Sequence, residues 1–157
     1  MFRKRNLLVA LLLLLPSTLW SQSLEKRFFL EGDGQVRVEN SKSGAGGEIR
    51  YRLKGGTYPA TAAREIDRTF GVPAGSIEGM SMRFIALLDY LQDHFQGGPI
   101  KIVSGYRSPN YNDGLRKKGR LAAKTSMHIE GMASDIEMGG VDSKTLWEFV
   151  RTLDCCG

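Results

Sequence analysis

Along the chain, apolar and polar positions first alternate and later recur at helical spacing. In KRFFLEGDGQVRVENSKSGAGGEIRYRL, Val36 and Val38 mark one short strand, and Ile49, Tyr51 and Leu53 mark a second. The glycine-rich SKSGAGGE between them reads as the loop of a hairpin-like element, giving a small β region over about 28–54. YPATAAREIDRTFGVP predicts a helix over roughly 60–70, with Pro59 near its start and Gly71 at its end. In the next helix Phe84, Leu87, Leu88, Leu91 and Phe95 share one stripe. Ser81 stands where a cap belongs, and Gly97, Gly98 and Pro99 end the helix. The polar Arg83, Asp89, Gln92 and Asp93 are expected largely away from the stripe. IKIVSGY then reads as a strand, SPNYNDGLRKKGR as a capped short helix turning into a basic loop, and ASDIEM as a strand containing Asp135. SKTLWEFVRTL, 143–153, is amphipathic through Leu146, Trp147, Phe149, Val150 and Leu153. Mixed helices and short strands, without the regular alternation of a parallel α/β sheet, point to an α+β domain.

Length and composition narrow this picture. A chain of 157 residues suits one domain with a real core, and its 19 glycines favour a loop-rich domain over a helical bundle. The N-terminus is different material. MFRKR is a short positive run, NLLVALLLLLP is apolar, and STLWSQS follows with small residues, the three-part pattern of a secretory signal peptide. Cleavage before Leu24 is expected, and the apolar run is shorter than the roughly 20 residues of a spanning helix. An exported protein of the periplasm or cell envelope is therefore expected, with membrane contact only through residues 1–23. Without Arg3, Lys4 and Arg5 the mature chain keeps 19 basic against 17 acidic residues, so the basicity belonged mostly to the leader. That balance argues against a nucleic-acid partner, which needs a clustered basic face. RKKGR at 116–120 comes nearest, and a solvated loop explains it as well. Cys155 and Cys156 are adjacent, which strains a mutual disulfide, and no second cysteine pair makes a zinc knuckle of them. A monomer is expected.

The stretch SMHIEGMASDIEM, 126–138, holds one of only two histidines. If His128 and Asp135 bind one ion, the chain between them must double back. Seven helical residues advance about 10.5 Å, too far for two ligands about 2 Å each from one metal. Gly131 supplies a place for a positive φ, and small Ala133 allows close passage of packed chain. A surface histidine and a strand-end aspartate are the simpler reading of this stretch taken alone.

It does not stand alone, because SGYRSPNYN lies upstream at 104–112. Together, S-G-Y-R-S and S-x-H-x-x-G-x-A-x-D resemble the M15 family of zinc peptidases that cut peptidoglycan peptides, and within it the murein endopeptidase K (DUF882-type) branch. The likeness covers roughly residues 60–157. It implies an M15 fold of the D-Ala-D-Ala carboxypeptidase and hedgehog-like kind, an α+β architecture with an antiparallel sheet flanked by helices. The corresponding division is a leader at 1–23, a small β-rich region at 24–58 and a peptidase domain at 59–157. The resemblance implies Zn2+ as cofactor, His128 and Asp135 as two of its ligands, Arg107 as the cation that steadies the substrate carbonyl, and Ser126 as a contact to substrate. The implied partner is the peptide stem of peptidoglycan, and the implied activity is hydrolysis of wall cross-links.

The sequence also departs from the family pattern. The third ligand is a second histidine in a later segment, beside the general base, and no histidine follows His128 here. A C-terminally shortened form is therefore expected, with reduced zinc affinity and no base for water activation. His94 reads as a surface residue, Glu130 lies near the site without forming an H-E-x-x-H helix, and recruitment of Cys155 or Cys156 is not expected. Two alternatives stay open: a peptidoglycan-binding module without catalysis, and a D,D- or L,D-carboxypeptidase of the same family.

Overall fold

The computed structural model describes residues 30–120 and 122–153. The signal segment, Cys155 and Cys156 lie outside them. Among the described residues no helix is long and apolar enough to cross a membrane.

Four strands form one sheet: β1 (Gln35–Asn40), β2 (Gly46–Arg50), β3 (Ile100–Ser104) and β4 (Asp135–Met138), in the order β2-β1-β3-β4. β1 and β2 are the expected hairpin, with Val36 opposite Ile49. Their sheet continues directly into the later strands, because β1 pairs with β3 through Val38 and Ile100. That pairing is parallel, so the α+β sheet is mixed rather than wholly antiparallel. A parallel neighbour needs a crossover connection, and here the connection carries β2 and two helices. β4 returns antiparallel on the far side of β3, with a register irregularity between Ile102 and Ser104.

Alternation decides which face the sheet buries. Val36, Val38, Ile49, Ile100, Ile102 and Met138 point into the core, while Arg37, Glu48, Lys101 and Glu137 point away. Helices α1 (Ala60–Phe70) and α2 (Met82–Phe95) supply Ile66, Phe70, Ile85, Leu88 and Leu91 to that same core. Each such side chain contributes about 1.5–3 kcal/mol when fully buried. Helix α1 spans the expected residues and ends at Gly71. α3 (Pro109–Lys117) is capped by the Ser108 hydroxyl, which accepts from Tyr111 N–H at 3.2 Å. α4 (Ser143–Val150) is capped by Asp142, and buries Leu146 while leaving Trp147 exposed.

Three details differ from the sequence pattern. Leu53 follows β2 and is exposed, because the strand ends at Arg50. Ser81 occupies the N-cap position of α2, but its side chain makes no capping bond. Asp89 and Gln92, expected on the polar side of α2, are buried. Gln92 Oε1 accepts from the backbone N–H of Arg37 at 2.8 Å, and its Nε2 donates to the carbonyl of Gly98 at 2.6 Å. These amide bonds tie α2 to β1 and to the turn before β3.

Candidate metal centre

The site forms where β3 leaves the sheet and β4 enters it. Gly105 passes so close to α1 that a Cβ there would stand 2.2 Å from the carbonyl oxygen of Phe70. Tyr106 N–H donates to the same carbonyl at 2.8 Å, fixing the exit of β3. From that anchored backbone Arg107 reaches forward, with Ser108 already capping α3 behind it.

The segment 126–134 packs against this exit. Ser126 opens a tight turn whose carbonyl accepts from Ile129 N–H at 2.8 Å. Gly131 has φ +63°, and its α-carbon lies against Gly79 and Met80, where a Cβ would meet the Gly79 carbonyl oxygen at 2.5 Å. Its own carbonyl accepts from Ser81 N–H at 3.0 Å. The chain thus doubles back between His128 and Asp135. Two further bonds stitch it to β3's exit: Arg107 N–H to the His128 carbonyl at 3.1 Å, and Ser134 Oγ to the Ser104 carbonyl at 2.8 Å. Asp135 then opens β4 opposite Ser104, at the irregular register. Such irregularities re-aim side chains near functional sites.

The side chains converge. His128 Nδ1 lies 2.7 Å from the carbonyl oxygen of Gly105. A carbonyl can only accept, so Nδ1 carries the hydrogen and Nε2 of the neutral ring presents its lone pair. That nitrogen faces Asp135 Oδ1 at 3.7 Å. The gap is too long for a hydrogen bond. Two ligands each about 2.0–2.1 Å from one tetrahedral zinc would stand roughly 3.4 Å apart. The nitrogen and oxygen donors, the spacing and the backbone bond behind the imidazole suit two of the three protein ligands that a catalytic zinc takes, and among the described residues no third such donor joins them.

Arg107 completes the group. Its Nη2 donates to Asp135 Oδ2 at 3.0 Å, and Nε and Nη2 both reach Ser104 Oγ, at 3.2 and 3.1 Å. Nη1 has no hydrogen bond among the described residues. Arg107 and His128 side chains are mostly buried, at 17% and 12% exposed, whereas Asp135 is 58% exposed, so the shared space opens to solvent on the carboxylate side.

His128, Asp135 and Arg107 are therefore brought together. Ser126 lies in the same turn, half-buried, and its hydroxyl bonds to none of the three. His94 is elsewhere, exposed on α2 and stacked on Phe149 at 4.0 Å between ring centroids. Glu130 is exposed and makes no bond to the group. Sequence reasoning missed Ser104 and Ser134, which orient the arginine and the β4 entry. Ser104 was visible inside the SGYRS string, but its role needs the pairing of β3 with β4.

A family profile described as Peptidoglycan L,D-endopeptidase MepK, of the Peptidase_M15_2 group, matches residues 33–157. The chain belongs to the M15 peptidases. The match to this M15 group begins before β1, so it takes in the hairpin as well as the 60–157 region that carries the motifs. Peptidoglycan L,D-endopeptidase MepK of Escherichia coli (strain K12) is 42% identical over 43 residues, which are 27% of this chain and 24% of that protein. The protein of the same name from Shigella flexneri matches to the same extent. The chain thus spans about a quarter of the length of the curated relatives it matches. No solved structure matches it.

Proposed function

We propose that this chain is an exported, zinc-dependent endopeptidase of peptidoglycan that acts on peptide cross-links, with the L,D linkage in its relatives' name as the first substrate to try. The carrying observation is the pairing of His128 Nε2 with Asp135 Oδ1 at 3.7 Å, beside a guanidinium with an unspent face. Zinc bound there would polarise a peptide carbonyl and bring the pKa of its water to about 7.

The chain's own residues set up the rest. The Gly105 carbonyl holds the imidazole in the tautomer that offers Nε2. Asp135 offers Oδ1 while Arg107 restrains Oδ2. Ser104 fixes the guanidinium through two bonds, leaving Nη1 to donate to the substrate carbonyl oxygen as it gains charge. An always-charged fork suits that task. Exposed Met127 and Met132 flank the turn and offer apolar contact to a peptide stem, and half-buried Ser126 is the proposed hydrogen-bond partner of its backbone. A binding module without catalysis is the second reading, favoured by the two-donor set among the described residues.

Muropeptide release from purified sacculi, with zinc content measured on the same preparation, tests the proposal. One zinc per chain with release, and a loss on the order of 10^3-fold in His128→Ala, supports the peptidase reading. Sacculus binding without release supports the module. Release that persists in His128→Ala overturns the assignment of the site.

A further inference from the structure

A second constellation lies across the molecule, at the corner where the chain enters β1. Asp33 stands just before β1, and Asp89 and Asp93 sit one turn apart on α2. One carboxylate oxygen from each lies within 4.8 Å of the other two. Acidic groups often gather on a surface without a ligand, but one member here is not on the surface. Asp89 is fully buried. Its Oδ2 accepts from Gly34 N–H at 2.9 Å and from the Tyr51 hydroxyl at 2.7 Å. Its Oδ1 is buried as well and has no hydrogen-bond partner.

That orphaned oxygen points into the cluster. Asp89 Oδ1 and Asp93 Oδ2 crowd the same side of the Gly32 α-carbon, where a Cβ would lie 2.2 Å from the first and 2.6 Å from the second. The other acids are only half used. Asp93 Oδ2 accepts from Asp33 N–H, and Asp33 Oδ1 from Gln35 N–H, both at 2.8 Å. The remaining oxygens of Asp33 and Asp93 take no hydrogen bond among the described residues. The guanidinium at this corner does not answer them either. Arg52 is engaged with Glu31 at 3.1 Å and with the Gly32 carbonyl at 2.6 Å. A buried carboxylate oxygen left without a donor, facing other carboxylates, is costly unless a cation joins it.

We propose that Asp33, Asp89 and Asp93 bind a divalent cation of the hard, oxygen-preferring class, with calcium as the leading candidate. The donors are all carboxylates, with no nitrogen or sulfur, which selects against the zinc chemistry of the His128 site. Asp33 and Asp93 are exposed, so water completes the six to eight oxygens calcium takes. Three protein carboxylates with water elsewhere place the affinity near the weak extracellular range, a Kd of about 10^-4 to 10^-3 M. Bound there, the ion clamps the segment before β1 onto α2. It stands apart from the proposed catalysis, being built from different elements.

Calorimetric titration of calcium into the 157-residue chain, paired with thermal unfolding, tests this. The expected result is saturable binding of about one equivalent, with a thermal midpoint that rises as calcium is added. Asp33→Asn and Asp93→Asn retain an oxygen for their backbone donors, and each should weaken calcium binding by about tenfold. Asp33→Asn decides the matter should Asp93→Asn fail to fold. His128→Ala should bind calcium as the parent does. Absence of saturable binding up to about 10 mM calcium, well above the expected range, overturns the proposal. So does undiminished binding in the asparagine variants, or binding that disappears in His128→Ala.

Discussion

Asp135 and Asp89 carry the same carboxylate into opposite surroundings. Asp135 is 58% exposed at the first residue of β4, with a guanidinium on one oxygen and an imidazole nitrogen facing the other. Asp89 is fully buried on α2, with a hydroxyl and a backbone N–H on one oxygen and two further acids nearby. Burial raises the Asp89 carboxyl above the ordinary carboxylate range, the charges of Asp93 and Asp33 add to that rise, and the bonds from Tyr51 and Gly34 oppose it. One carboxylate is held by a guanidinium at an open, solvent-exposed edge. The other is held by neutral donors inside the protein, where it organises chain. Placement, more than residue type, separates an open, cation-paired carboxylate from an architectural one.

The comparison can be broken most forcefully at the backbone that delivers Asp135. Gly131→Ala puts a Cβ against backbone at φ +63°, with the Gly79 carbonyl oxygen 2.5 Å away. The expected cost is about 3 kcal/mol of stability, read by denaturant unfolding, with loss of zinc affinity in the chain that still folds. An unchanged midpoint would mean that the turn is not the constraint described. Next in size is Arg107→Lys, which keeps the charge but cannot bond Ser104 and Asp135 while leaving a further donor free. Muropeptide release should fall by about 10^2-fold, mainly in kcat. Equal kcat would remove the arginine from the reaction.

The smallest effect sharpens the other half. Because folding raises the Asp89 carboxyl, the protonated group favours the native state. That contribution is fully present below the unfolded value of about 3.9 and is lost as pH rises through the folded value. Asp89→Asn cannot ionise and should lack this slope. Denaturation midpoints between about pH 4 and pH 8, chelator present, should therefore vary less in the variant after allowance for other groups. Parallel pH profiles would contradict the account of Asp89.

Much of this was legible from periodicity. The alternation around Val36 and Val38, the helix from Ala60 to Phe70 and the strand from Ile100 to Ser104 all arise from local burial patterns. The parallel pairing of β1 with β3 was not, since strand direction depends on where the crossover helices pack. Asp89 and Gln92 were misplaced for a related reason. A helical pattern assigns polar residues to solvent, yet these two satisfy backbone groups of Gly34 and Arg37, which only the folded sheet brings near. At the site, the sequence required a bend only on the condition that His128 and Asp135 share an ion, with Gly131 as its pivot. It could not announce that Gly105 would fix the imidazole or that Arg107 would sit on Asp135, because both contacts span more than twenty residues.

On the proposed reading, one cation sits between His128 Nε2 and Asp135 Oδ1. An anomalous difference map at the zinc edge, from crystals of the zinc-loaded chain, tests it most directly. The expected result is a peak about 2.1 Å from both atoms, with the Arg107 guanidinium still beside Asp135. A peak elsewhere, or an ordered Nε2 and Oδ1 with none between them in zinc-saturated crystals, would contradict it.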